Sequence, residues 1–185
     1  MKTKIIKLSG VAAAIVFLMA LMTLNSSAKD LQYDFPPEAA PVNITLNGRS
    51  VLEGEAAIID SVTYVPLRSF SDLLGAQSIS WDSKSETATV KKYNMVAKIS
   101  QNKKYVEASG RYFYLDNGVK NIDNRLFVPI RIASKLFCVD VEWNSKSRTV
   151  VLKSTTKAFK TADEFYDSDE VYWLYAQPLL RWLEG

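Results

Sequence analysis

The segments Tyr64-Val65-Pro66-Leu67-Arg68 and Trp81-Asp82-Ser83-Lys84-Ser85 return later in the chain as Phe127-Val128-Pro129-Ile130-Arg131 and Trp143-Asn144-Ser145-Lys146-Ser147. The two prolines lie 63 residues apart and the two tryptophans 62, so the copies hold register to within one position. An internal period of this kind implies two structural units of similar size and limits the architecture to one that can be built twice. It also gives a comparison inside one sequence. A residue kept in both copies serves the unit's fold, whereas a catalytic residue is needed only once.

The first copy begins near Val42, where Val42, Ile44 and Leu46 alternate with polar residues until Asn47-Gly48, the strongest short-range signal for a tight hairpin. A return strand starts at Arg49. After a turn near Asp60-Ser61, the strand Thr63-Tyr64-Val65 meets Pro66, whose fixed φ suits the first turn of a helix. Leu67, Phe70, Leu73 and Leu74 recur at helical spacing, and Gly75 stands where a left-handed C-terminal cap is wanted. A closing hairpin through Trp81 and Thr87 completes the unit. The predicted fold is α+β: two related β-β-β-α-β-β units, residues 42–92 and 95–154, in one compact module, followed by a short helical tail at 155–185. In the second copy Cys138 takes the place of Gly75. A cysteine does not adopt positive φ cheaply, so that helix is expected to end differently.

Pro66, Arg68, Trp81, Pro129, Arg131 and Trp143 form the recurrent signature. Each proline starts a helix. Each arginine sits in the first helical turn, where the dipole disfavours a cation, so it is expected to reach a carboxylate or a backbone carbonyl of the neighbouring hairpin. On that reading Arg68→Ala and Arg131→Ala lower thermal stability more than they alter binding. The two tryptophans lie within alternating strand patterns and are expected to be buried. The other reading makes them platforms on which sugars stack.

Flanking segments set the context. Lys2, Lys4 and Lys7 precede an apolar run from Val11 to Leu24, and Ser26-Ser27-Ala28 offers a signal-peptidase site, so residues 1–28 read as a signal peptide cleaved after Ala28. The run is shorter than the roughly 20 residues of a spanning helix, so no stable membrane span is expected after cleavage. Residues 29–41, with Pro36-Pro37 and Pro41, read as a linker. The formal charge of +3 equals the three lysines of the leader. The one cysteine, Cys138, excludes a disulfide within the chain, and with no histidine a His-based Ser or Cys triad is excluded as well. No glycine loop that would cradle a phosphate is present, and the acidic run Asp163 to Glu170 lacks the glycine and distal glutamate of a calcium loop. Neither a cofactor nor a metal is expected.

Ile44-Thr45-Leu46-Asn47-Gly48, Thr63-Tyr64-Val65-Pro66-Leu67-Arg68, Leu74-Gly75-Ala76 and Trp81-Asp82 resemble the stalk domain family, also called the copper amine oxidase N-terminal-like domain. The resemblance covers about residues 42–154. The second copy departs at Ser109-Gly110 and Phe137-Cys138-Val139. Such domains occur in secreted bacterial proteins, and the resemblance implies only the oxidase's non-catalytic stalk, because the three-histidine copper site cannot be built without histidine.

Tyr105 and Tyr112-Phe113-Tyr114 lie close to Lys103, Lys104 and Arg111, a grouping seen in exposed nucleic-acid or sugar platforms. Export argues against nucleic acid. Strand alternation puts Tyr112 and Tyr114 on one face and Phe113 on the other, so only one set lines a binding surface. In the tail, an acidic turn leads into an apolar helix interrupted at Pro178, and Trp173 and Trp182 give it surface that must pack on the body or on a partner. Tyr166-Asp167-Ser168-Asp169-Glu170-Val171-Tyr172-Trp173-Leu174 also resembles the opening of cell-wall hydrolases of the cortex-lytic type. That likeness implies a hydrolase cut short, which keeps its targeting module and lacks its catalytic domain.

The sequence therefore points to an exported, non-catalytic cell-envelope binding or spacer module. Its expected partner is peptidoglycan, an anionic wall polymer or an envelope protein, and its expected location is secreted, extracellular or bound to the wall. The truncated hydrolase is the enzyme-class alternative, and a protein that binds a partner through its aromatic tail is the third.

Overall fold

Two-residue turns at positive φ set the strand plan. Asn47 and Gly48 (φ 51° and 81°) join β2 (Asn43–Leu46) to β3 (Arg49–Val51), and Asp60 and Ser61 (φ 50° and 65°) join β4 (Ala57–Ile59) to β5 (Val62–Pro66). Such double left-handed turns match the twist of paired strands. The computed structural model describes residues 31–101 and 103–166. Pro66 ends β5 at φ −66° and opens α1 (Leu67–Leu73), after which β6 (Ser78–Asp82) and β7 (Thr87–Lys92) fold back as a hairpin.

The second half runs through β8 (Met95–Ser100), β9 (Tyr105–Ala108), β10 (Arg111–Tyr114), β11 (Lys120–Ile122) and β12 (Arg125–Pro129) into α2 (Ile130–Phe137). Then come β13 (Val139–Asn144), β14 (Thr149–Ser154) and the short α3 (Ala162–Tyr166). Ser109-Gly110 keeps a two-residue turn between β9 and β10 despite its departure from Asn-Gly, with φ of 45° and 83°.

Among the described residues three sheets result, in the orders β1-β4-β5-β12-β11, β10-β9-β8-β7-β6 and β13-β14-β2-β3, where β1 is Ala40–Pro41. The fold is thus mostly sheet with a few short helices, compatible with α+β. The strands that lead into the two prolines pair antiparallel, Val65 opposite Val128, while β14 runs parallel to β2. Each sheet takes strands from both halves of the chain. The expected count of three strands before each helix is corrected to four in the first half (β2 to β5) and five in the second (β8 to β12). The return strand breaks because Leu52 and Gly54 take positive φ, which separates β3 from the three-residue β4.

The main core lies between the helices and the sheet faces, with Phe70 of α1 meeting Phe137 of α2 edge-to-face at 5.9 Å. A second cluster forms around Phe127, against which Phe35 and Tyr33 pack at 5.2 and 5.4 Å. Truncating a buried ring of this kind to alanine typically costs about 3–5 kcal/mol. Residues 31–41 therefore belong to the folded body rather than to a linker: Phe35 is buried, Ala40–Pro41 pairs with β4, and the Gln32 amide donates to the Gly54 carbonyl at 2.8 Å. Their prolines suit a segment that lies on the body with one short stretch of pairing.

The helix ends differ from expectation too. Gly75 takes φ 75° as predicted, but Cys138 also adopts the left-handed conformation, at φ 54° and ψ 46°. No helix among the described residues is long and apolar enough to cross a membrane.

Candidate ligand groove and tyrosine face

Pro66 places the first turn of α1 at the mouth of a groove of about 370 Å³ whose other walls are β6 and the β11–β12 turn. Tyr33, Arg68, Trp81, Asn121, Asn124 and Arg125 line it, with Pro66 and Ser80 between them. Three signature residues of the first copy thus meet at one concavity. Arg68 is exposed and makes no hydrogen bond or ion pair among the described residues, and the same holds for Arg131. The carboxylate or carbonyl partner expected for each is not found, because the first helical turn points these long side chains to solvent.

Burial of the tryptophans is corrected as well, since Trp81 is 48 % and Trp143 49 % exposed. Each lies on an outermost strand, β6 in one sheet and β13 in another, so one side of the ring has no neighbouring strand to cover it. Alternation reads the face a residue points to, not whether its strand has a neighbour.

Sequence reasoning missed Tyr33, Asn121, Asn124 and Arg125. The guanidinium of Arg125 stacks over the Tyr33 ring, 4.8 Å from its centre. The Glu55 carboxylate accepts from the Tyr33 hydroxyl at 3.0 Å and from the Ser69 hydroxyl at 2.6 Å. Burial and then Glu55 raise the pKa of Tyr33, with Arg125 opposing, so the phenol stays protonated. The turn Asp123-Asn124 was a visible sequence signal, but nothing local ties Tyr33 to it.

The second surface is the solvent-facing side of β9 and β10. Tyr114 stands opposite Tyr105 and Tyr112 opposite Glu107, and the Tyr105 ring meets those of Tyr112 and Tyr114 at 5.4 and 6.4 Å. Tyr112 is 57 % and Tyr114 78 % exposed. Lys103 lies over the Tyr105 ring at 5.3 Å, and a recess of about 250 Å³ opens beside it, lined also by Thr87, Lys98 and Ser100. Phe113 turns to the other face, against Phe159 and Arg111. Trp173 and Trp182, with nearly all of the hydrolase-like segment, lie outside the described residues.

The sequence profile of the copper amine oxidase N-terminal domain matches residues 45–152, which contain the tyrosine face and all of the groove except Tyr33. The chain belongs to the copper amine oxidase N-terminal domain family. No curated protein matches it. The copper amine oxidase N-terminal domain is the non-catalytic part of the enzyme for which it is named. Copper does not fit this chain, since it has no histidine and no three of Asp, Glu and Cys gather as a donor set among the described residues. Burial pushes the pKa of the Cys138 thiol up, with Lys92, Arg111 and Lys157 opposing, and a thiol so raised is a poor nucleophile.

Proposed function

We propose that this copper amine oxidase N-terminal domain is an exported, non-catalytic module that holds to a polymer of the cell envelope. The observation that carries the reading is the row of Tyr105, Tyr112 and Tyr114 on an open sheet face. An aromatic ring offers the apolar C–H face of a sugar a large rigid contact, and its hydroxyl offers a hydrogen bond to the polymer's own hydroxyls. A flat strand pair suits an extended chain better than a compact ligand. The leader through Ala28 supports export, and the missing histidine supports binding without hydrolysis.

The two halves are read as copies of one unit whose closing hairpins pack against the other copy's opening strands. Supporting this are Pro66 and Pro129 opening the two helices, and the turns of Asp82 and Asn144 in the two closing hairpins.

Sedimentation with purified wall material tests the binding. The protein from Lys29 onward is expected in the pellet, and the Tyr112→Ala/Tyr114→Ala variant in the supernatant. Wild-type protein that stays in the supernatant ends the binding part of the reading. Release of soluble peptidoglycan fragments by the purified chain would instead make it an enzyme. Intact mass of the protein recovered from culture medium or the wall fraction checks cleavage after Ala28.

A further inference from the structure

We propose that the groove of Arg68, Trp81 and Arg125 is a second binding site, separate from the tyrosine face, that takes a sugar or polyol unit bearing a carboxylate or a phosphate. The tyrosines stand on β10 and β9, whereas Trp81 stands on β6 at the opposite edge of the same sheet. Four strand spacings of about 4.8 Å place the two sites roughly 19 Å apart.

Charge is the first ground. Among the described residues, two guanidinium groups line the groove and no carboxylate does. Arg68 has no partner among the described residues, and Arg125 is held only by the Tyr33 ring, which leaves its N–H fork free to bond. Nearby carboxylates stand outside the lining and are hydrogen-bonded: Glu55 by the Ser69 and Tyr33 hydroxyls, Asp82 by the Ser85 hydroxyl at 2.6 Å, and Asp123 by the Asp34 amide at 2.8 Å. A planar cation with unused donors favours a carboxylate or phosphate over a neutral group.

Shape is the second. The half-exposed Trp81 ring borders a concavity of about 370 Å³, within the size range of small-ligand sites. Asn124 and Asn121 add amide groups suited to hydroxyls, with Asn121 donating only a long 3.3 Å bond to Gln101. The second half of the chain gives the contrast. Trp143 is equally exposed and Arg131 recurs, but at the place of Arg125, four residues before the proline that opens the helix, the other half of the chain has Val62.

Calorimetric titration of the protein from Lys29 onward tests this with three probes: tetragalacturonate, a glycerol phosphate tetramer and neutral chitotetraose. At least one anionic probe is expected to bind at least about tenfold more tightly than chitotetraose, and to weaken by about tenfold in Trp81→Ala, Arg68→Gln and Arg125→Gln. Which anionic probe binds identifies the charged group. Arg131→Gln, Trp143→Ala and Tyr112→Ala/Tyr114→Ala are expected to leave that binding unchanged. Trp81→Phe, which keeps an apolar ring, is expected to lose less than Trp81→Ala, and thermal melts verify that each variant is folded. Binding of neither anionic probe, equal binding of the neutral one by the Tyr112→Ala/Tyr114→Ala variant, or full affinity in the Arg68 and Trp81 variants overturns the proposal.

Discussion

Gly75 and Cys138 occupy the same station, nine residues after the proline that opens each helix, and both turn the chain through the left-handed region, at φ 75° and 54°. Glycine does this freely, whereas a residue with a Cβ is strained there by about 1–2 kcal/mol. At Cys138 the conformation is held by its neighbours: the Thr155 hydroxyl donates to its carbonyl at 2.5 Å, and its side chain packs on the core. Cys138→Gly is expected to raise stability by about 0.5–1 kcal/mol, the relief exceeding the lost packing. Gly75→Ala, whose added Cβ would meet nothing within 4 Å, is expected to lose about 1 kcal/mol through the backbone alone. Urea denaturation of both variants measures the pair.

Ser71 and Ser134 are a second matched pair, five residues after their prolines and both buried. Ser134 donates to the Ile130 carbonyl at 2.7 Å, but the Ser71 hydroxyl finds no partner among the described residues. An unmatched buried hydroxyl costs about 1–3 kcal/mol. Ser71→Ala is therefore expected to raise the melting temperature, and Ser134→Ala to leave it level or lower it.

The turns after the two tryptophans differ in one atom type. Asp82 accepts from the Lys84 amide at 3.0 Å and the Ser85 hydroxyl at 2.6 Å, while Asn144 accepts from the Lys146 and Ser147 amides at 3.1 and 3.3 Å. The Ser85 hydroxyl, then the Lys84 amide, hold the Asp82 carboxyl below the ordinary aspartate range. A carboxylate depressed by folding contributes stability above its unfolded pKa and loses it as pH falls through the folded one. The Lys84 amide resonance is expected to titrate at a pH below the ordinary aspartate range, and Lys146 not to respond to protonation at Asn144. Asp82→Asn is expected to remove the first response.

Residues 159–166 are held on the body by Arg111, which stacks on Phe113, Phe159 and Phe165 and donates to the Lys160 carbonyl at 3.0 Å. A Cβ at Gly110 would come within 2.9 Å of Ala162 Cβ, at a backbone φ of 83°. Gly110→Ala is expected to push this segment away and to speed tryptic cleavage after Lys160 several-fold, with the main core unaffected. Cleavage at the wild-type rate would show that the segment gives way without releasing.

Arg68→Ala and Arg131→Ala, read from the sequence as destabilising, have no partner to lose among the described residues. Each is now expected to alter stability by no more than about 0.5 kcal/mol, as exposed substitutions do. Thermal melts of the two variants check this.

The turns at Asn47-Gly48, Asp60-Ser61 and Asp123-Asn124, the helix starts at Pro66 and Pro129, and the opposite faces of Tyr112 and Phe113 were legible because each depends on a few adjacent residues. The family was legible from such motifs. What escaped depends on distant chain. Alternation showed where Trp81 and Trp143 point but not that β6 and β13 are outermost strands. The proline-rich look of residues 31–41 concealed the fit of Phe35 and Tyr33 to Phe127, more than ninety residues away in sequence. The groove was half visible in Arg68 and Trp81, while Arg125 and Tyr33 carried no local pattern.

The parallel pairing of β14 with β2 has a consequence for the birth of the chain. β2 is made about a hundred residues before the strand that covers its side. Until then Ile44 and Leu46 have no β14 to lie beside, and β2 with β3 is only an isolated hairpin. Long-range pairing of this sort is slow and leaves apolar edges open to other chains. The sheet that β14 completes cannot be assembled in the order of its synthesis; it must wait for the last strand among the described residues and then close as a whole.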